Sequence, residues 1–157
     1  MVRAVREYQD NGEDGMKYFE DFQEGEVIKT RGRTITEADI VNFCAFSGDW
    51  YPLHSDVEYA RNSPFGERIA HGMLVLSATS GLMPLYDMAI VAFYGMDKVR
   101  FLNPTKIGDT LHLEITVQEK KDKGQFGVVT FESRVKNQRQ EDAALSILKI
   151  VIAKKNG

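Results

Sequence analysis

Apolar and polar residues alternate with a period of two in the last third of the chain, most plainly at Leu111, Leu113, Ile115, Val117 and again at Ala144, Ser146, Leu148, Ile150, Ile152. That period sends successive side chains to opposite faces of a strand, so one face of each segment is apolar enough to enter a core. Four strand-like runs are predicted, over 89–102, 110–119, 126–136 and 143–153, with Lys123-Gly124 marking the hairpin between the second and third. An earlier run, 26–34, has moderate strand character. Between them the period lengthens. Thr36 stands as a helix N-cap with Asp39 three residues on, Ile40, Phe43, Cys44 and Ser47 share one face, and Gly48 ends the helix. A second short helix is predicted to start at Ser55 or Asp56 and to stop before Pro64. The main helix, 72–83, is apolar on nearly every face and about 18 Å long at 1.5 Å per residue. A helix apolar all round needs cover on all sides. One strand, then helices, then four strands predicts an α+β fold, a curved antiparallel sheet wrapped around a central helix. Such a sheet leaves an edge strand that a second copy would cover, so a homodimer is expected.

The 157 residues, 43% of them hydrophobic, suffice for one core and one domain. Residues 1–16 have little apolar content and no period, and read as a mobile tail or an arm lying on a neighbour, leaving 17–157 as the domain. A net charge of −3 argues against a general nucleic-acid binder, which needs excess Lys and Arg to neutralise phosphates. The charge is uneven, −7 over residues 1–60 and +4 over 61–157, so an anionic ligand is better accommodated by the second part. A single cysteine, Cys44, excludes an internal disulfide, and no Cys/His group has metal-ligand spacing. With an N-terminus too charged for the apolar core of a secretory signal, a cytoplasmic location is expected. The run 69–94 is long enough to cross a bilayer, but His71, Ser77, Thr79, Ser80, Pro84 and Asp87 within it favour a helix wrapped by its own sheet over a membrane span.

The densest polar group is Ser47-Gly48-Asp49-Trp50-Tyr51-Pro52-Leu53-His54. An Asp and a His brought together across a Pro-containing turn can hold one water and move its protons, which is acid/base chemistry. Spacing alone is a weak signal, and it favours an Asp49 that caps a turn and a His54 satisfied in a loop. The second group is His71-Gly72 at the start of the apolar helix. Free N–H groups there can receive a developing oxyanion, and Gly lets a carbonyl approach the backbone. The alternative is a helix entrance where Gly permits the turn and His71 is buried for packing. Ser80, followed by Gly81, either orients a ligand or bonds back to its own helix.

Taken together, these segments resemble a known family. The run FSGDWYPLHSDVEYA, 46–60, is similar to the signature of the MaoC-like (R)-specific enoyl-CoA hydratases, also called hydratase 2, at Gly48, Asp49, Pro52, Leu53, His54 and Ala60. FGERIAHGMLVLSATSGLM from Phe65 resembles that family's entry into its central helix, and KVRFLNPTKIGDTLHLEITV its strand, Pro turn and Gly-Asp hairpin. The resemblance spans about 17–153 and implies a hot-dog fold, a homodimer or a dimer of dimers, and an acyl-CoA thioester as substrate with no metal or redox cofactor. It implies Asp49 and His54 as the catalytic dyad, the Gly72 N–H as the donor to the thioester carbonyl, and Ser80 as a serine that arranges the site. The family's Asn between Asp and Pro is Tyr51 here, so Tyr51 and its neighbour Trp50 are expected in the substrate pocket. Lys98, Arg100 and Lys106 lie in the net-positive part and are the basic residues available to CoA phosphates. Two other outcomes fit the same fold: a thioesterase, in which water attacks the carbonyl, and a non-catalytic acyl-CoA-binding domain in which Tyr51 blocks the water.

Overall fold

The computed structural model describes residues 5–7 and 15–155. Its strands are β1 (Val5–Glu7), β2 (Val27–Lys29), β3 (Arg33–Thr34), β4 (Ile90–Phe101), β5 (Thr110–Asp122), β6 (Phe126–Lys136) and β7 (Asp142–Ala153). Its helices are α1 (Glu37–Ser47), α2 (Pro52–Ser55), α3 (Val57–Arg61) and α4 (Gly72–Ser80). The sheet runs β1-β2-β5-β6-β7-β4, with β3 also paired to β5. All neighbours are antiparallel except β1 and β2. This is the α+β hot-dog arrangement that the sequence and its resemblance imply. Of the segment read as a tail, Val5–Glu7 runs alongside β2, while 1–4 and 8–14 lie outside the described residues.

Alternation does what the period of two demands. Leu111, Leu113, Ile115 and Val117 of β5 and Ala144, Ser146, Leu148, Ile150 and Ile152 of β7 are all buried on the inner face. Phe131 of β6 meets Phe22 edge to face at 5.7 Å, and each such aromatic or aliphatic side chain removed from water contributes about 1.5–3 kcal/mol. Gly124 takes φ +87° in the β5–β6 turn, a backbone that only Gly adopts without strain.

Three expectations are corrected. The 26–34 run is two short strands, Val27–Lys29 and Arg33–Thr34, and the ladder is interrupted at Thr30, whose hydroxyl takes the Leu113 N–H in place of a backbone carbonyl. Helix α4 ends at Ser80, not Met83: Pro84 disfavours helical backbone at Met83, and residues 81–83 close with tight turns from Leu82 N–H to Thr79 O and Met83 N–H to Ser80 O. Nor is α4 covered on all sides. Leu74, Val75, Ala78 and Thr79 are buried, while Met73, at 62% exposure, shares an open face with Ser77 and Ser80. The sheet curls around one side of the helix and leaves the other side to a cleft. Among the described residues no helix is long and apolar enough to cross a membrane.

Candidate active site

The loop that carries Asp49 is fixed by the end of α1. Thr36 and Asp39 form the capping box at its start, and Gly48, at φ +76°, ends it with its N–H on the Cys44 carbonyl at 2.8 Å. Beyond Gly48 the chain bonds to itself: the Asp49 N–H donates to Ser47 Oγ and the Tyr51 N–H to Asp49 Oδ1, each at 3.2 Å. Pro52 then opens α2 at its first position, where a missing N–H costs nothing, and this unexpected single turn swings His54 back toward Asp49. Asp56, the cap of α3, accepts from the N–H groups of Glu58 and Tyr59.

Asp49, His54 and His71 each bring one side-chain ligand atom within 4.8 Å of the others, and their exposure falls in that order from open to buried. Carbonyl partners set both imidazole tautomers, because a carbonyl oxygen only accepts. Nδ1 of His54 donates to the Ile69 carbonyl at 2.7 Å, so in the neutral ring the lone pair is on Nε2. Nε2 of His71 donates to the Asp49 backbone carbonyl at 3.0 Å, with Cys44 Sγ 3.6 Å away, and its Nδ1 has no partner among the described residues. Burial holds the His71 pKa below its usual value, against the opposing hydrogen bond to Asp49, and pushes the Cys44 thiol up. Three ligands would suit a metal by count, but the two rings lie stacked, 3.8 Å apart and 28° from parallel. Two nearly parallel rings this close cannot both hold one metal near their own planes at the ~2.0–2.1 Å it requires.

Gly72 opens α4 beside this group. The N–H groups of Gly72, Met73 and Leu74 have no acceptor among the described residues, and His71 caps none of them with its side chain. Gly72 and Met73 line a cleft of 360 Å³ walled also by His54, Phe65, Ile69, Phe101 and Thr105. Gly72 has a second reason to be Gly, because an added Cβ would come 2.6 Å from Cζ of Phe101. A further, more apolar cleft of 450 Å³ lies along the open face of α4, lined by Met73, Leu76, Ser80, Met83, Phe93 and Leu148 among others.

The remaining predicted residues divide. The Tyr51 and His54 rings lie edge to face, centroids 6.3 Å apart, and the Tyr51 hydroxyl lies 3.1 Å from that of Tyr59. Trp50 is more than half exposed, and its carbonyl accepts from Ser55 Oγ at 2.9 Å. Ser80 Oγ donates to the Ser77 carbonyl of its own helix at 2.7 Å and lines the second cleft, with no hydrogen bond to Asp49 or His54. Lys106 is paired with Glu67 at 2.6 Å. Lys98 and Arg100 are exposed on β4, and Arg100 donates to the carbonyl of Val99. Sequence reading missed Ile69, Phe101 and Tyr59, which act through a backbone carbonyl or through contacts between distant segments and leave no local signal. His71 was visible only as a possible packing residue.

The family model of the MaoC-like domain matches residues 21–139. Protein MaoC of Klebsiella aerogenes is 42% identical over 125 residues, 79% of this chain, which spans only 37% of that longer protein. The (R)-specific enoyl-CoA hydratase of Rhodospirillum rubrum is 36% identical over 102 residues, 65% of this chain and 70% of its own. An Archaeoglobus crystal structure described as a monoamine oxidase regulatory protein superposes with a TM-score of 0.84 at 39% identity, covering 98% of this chain and 99% of that one. An (R)-hydratase from Pseudomonas aeruginosa superposes with a TM-score of 0.71 at 30% identity, over 88% and 86% of the two chains. The loop bearing Asp49 and His54 and the entry to α4 both lie inside the matched region, and the chain belongs to the MaoC-like dehydratase family.

Proposed function

We propose that this protein adds water reversibly to a 2-enoyl-CoA, giving the (R)-3-hydroxyacyl-CoA, or runs the same reaction as a dehydration. The observation that carries this reading is the approach of the Asp49 carboxylate and the His54 imidazole to within 4.8 Å, with the Ile69 carbonyl holding the proton of neutral His54 on Nδ1 and leaving Nε2 as its basic atom. The thioester carbonyl takes hydrogen bonds from the unpaired N–H groups at the start of α4, which stabilises charge as it builds toward an enolate and makes the β-carbon electrophilic. A water between Asp49 and His54 then bonds through oxygen to the β-carbon, one of its protons passes to the pair, and a proton returns from the pair to the α-carbon. Neutral, the Nε2 of His54 accepts, and charged it donates, so one atom serves both directions. No electron is gained or lost, and the proposed reaction needs neither metal nor redox cofactor.

Relatives named as an (R)-specific enoyl-CoA hydratase and a 3-hydroxybutyryl-CoA dehydratase support the reaction class. A homodimer is part of the proposal, because edge strand β4 pairs only with β7 among the described strands and exposes Val91, Phe93 and Tyr94. The testing experiment offers crotonyl-CoA and follows enone absorbance and free thiol in one reaction. Loss of the enone without thiol is the expected result. Thiol release replaces the proposal with hydrolysis, and neither change, across several chain lengths, replaces it with binding alone.

A further inference from the structure

The mechanism above uses Asp49 and His54 and leaves His71 without a role. Yet His71 is the most constrained side chain of the group: 3% exposed, stacked face to face on His54, tilted against Phe43 at 4.9 Å, and bonded to the Asp49 carbonyl. Packing alone does not account for it. A buried position that only needed filling would be served better by an apolar ring, since this imidazole leaves Nδ1 without a partner among the described residues. Its one strong polar contact goes to the residue that carries the carboxylate of the dyad, and its one parallel stacking contact goes to the other member.

We propose that His71 is a positioning residue that holds both members of the dyad at once, fixing the Asp49 loop through the Nε2–H bond and the plane of the His54 ring through stacking. The proposal rests on the hydratase reading of the site. Two links of different chemistry converge on one rigid part, the entrance of α4, so the separation of carboxylate and imidazole is set by the helix instead of by the exposed loop. The groups facing His71 are the His54 ring, the Asp49 carboxylate and carbonyl, the Cys44 thiol and the Phe43 ring. Burial lowers the pKa of the ring, which disfavours its taking the proton that His54 moves.

The two links can be cut separately. His71→Gln keeps an N–H donor at the Nε2 position and loses the stacked ring, whereas His71→Phe keeps the ring and loses the donor. With crotonyl-CoA, each is expected to lower kcat about 10-fold with KM within about 3-fold, and His71→Ala to lower it about 100-fold, the scale of a misplaced catalytic group. A folded His71→Phe with wild-type kcat overturns the proposal, because a packing role predicts that result. Where a variant does not fold, ¹⁵N spectra of the imidazoles in the substrate-free wild type decide. A neutral His71 protonated only at Nε2 around pH 7 is expected, and a charged ring or a proton at Nδ1 overturns the proposal. This readout needs no turnover. Wild-type protein inert toward enoyl-CoAs but carrying the expected tautomer therefore overturns the hydratase reading and upholds the placement of the dyad by His71.

Discussion

The Ile69 carbonyl accepts a 2.7 Å hydrogen bond from Nδ1 of His54, and Ile69 is itself bridged to Lys106 while the next N–H, of Ala70, donates to Thr105 O at 2.8 Å. The orientation of His54 is thus tied through the entrance of α4 to the connection between β4 and β5. His54→Asn is the variant that uses this relationship, because its amide can still donate to Ile69 but has no base at Nε2. We expect His54→Asn and Asp49→Asn each to lower turnover by ~10²–10⁴, the usual loss for acid/base groups. Thermal midpoints should stay within a few degrees of wild type, as measured by calorimetry beside steady-state rates. Near-wild-type rates in both would remove the dyad from the mechanism.

Tyr51 stands where the family has Asn, with its ring 6.3 Å from that of His54 in an edge-to-face pair and its hydroxyl against that of Tyr59. Both tyrosines are about half exposed, so the hydroxyl pair adds little stability. Tyr51→Phe should leave activity and unfolding nearly unchanged. Tyr51→Asn removes the ring beside His54 and should shift the preference among enoyl-CoA chain lengths by about 10-fold in relative kcat/KM, which corresponds to ~1.4 kcal/mol. Parallel profiles for the two proteins would assign specificity to other walls.

At Gly72 two explanations of the same glycine separate by experiment. An added methyl would press on the far end of the Phe101 ring, and Phe101 is half exposed, so the ring can swing aside. Gly72→Ala is therefore expected to fold, with kcat/KM lowered at least ~10-fold as the displaced ring enters the cleft. Phe101→Ala in the same chain should restore part of that loss, because it removes the obstruction. Simple additivity of the two substitutions in a double-mutant cycle would show that the ring is irrelevant.

Burial lowers the pKa of both His71 and His112 from the ordinary 6.5; at His112 the Glu114 carboxylate opposes the shift, while Lys29 and Lys136 add to it. The unfolded chain takes up protons at these positions near pH 6.5, before the folded protein does. The unfolded state then binds more protons, so stability falls as pH drops through this range until the lowered folded values are reached. Thermal unfolding between about pH 8 and 5 should show a declining midpoint, and His112→Gln should flatten the decline. A midpoint that rises on acidification contradicts the assignment.

The open edge of β4 makes an assembly prediction. Light scattering at micromolar concentration should give at least twice the mass of one chain. Replacing Val91 and Tyr94, both more than half exposed, by Asp should weaken assembly without entering the core. A wild-type monomer with full activity would refute the need for a partner.

Local rules were enough to write most of the architecture from the sequence. The period of two located β5, β6 and β7 to within a few residues, and Thr36, Asp39 and Gly48 bounded α1 because caps are short-range hydrogen bonds. The same loop, Gly48 to His54, offered an Asp and a His by residue type, and the resemblance to a family signature is what marked them as a candidate pair. What the sequence could not decide were relationships between segments. Which nitrogen of His54 carries the proton depends on a carbonyl at Ile69, the fit of Gly72 depends on a ring from β4, and the role open to His71 depends on Asp49 and His54 meeting over it. The main helix, apolar by composition, looked destined for full burial, but how much of a helix a sheet covers is set by how far the sheet curls. Hydrophobic periodicity fixes which face of an element is buried, and only the closed tertiary structure brings donors, acceptors and rings from distant segments to within a few ångströms of one another.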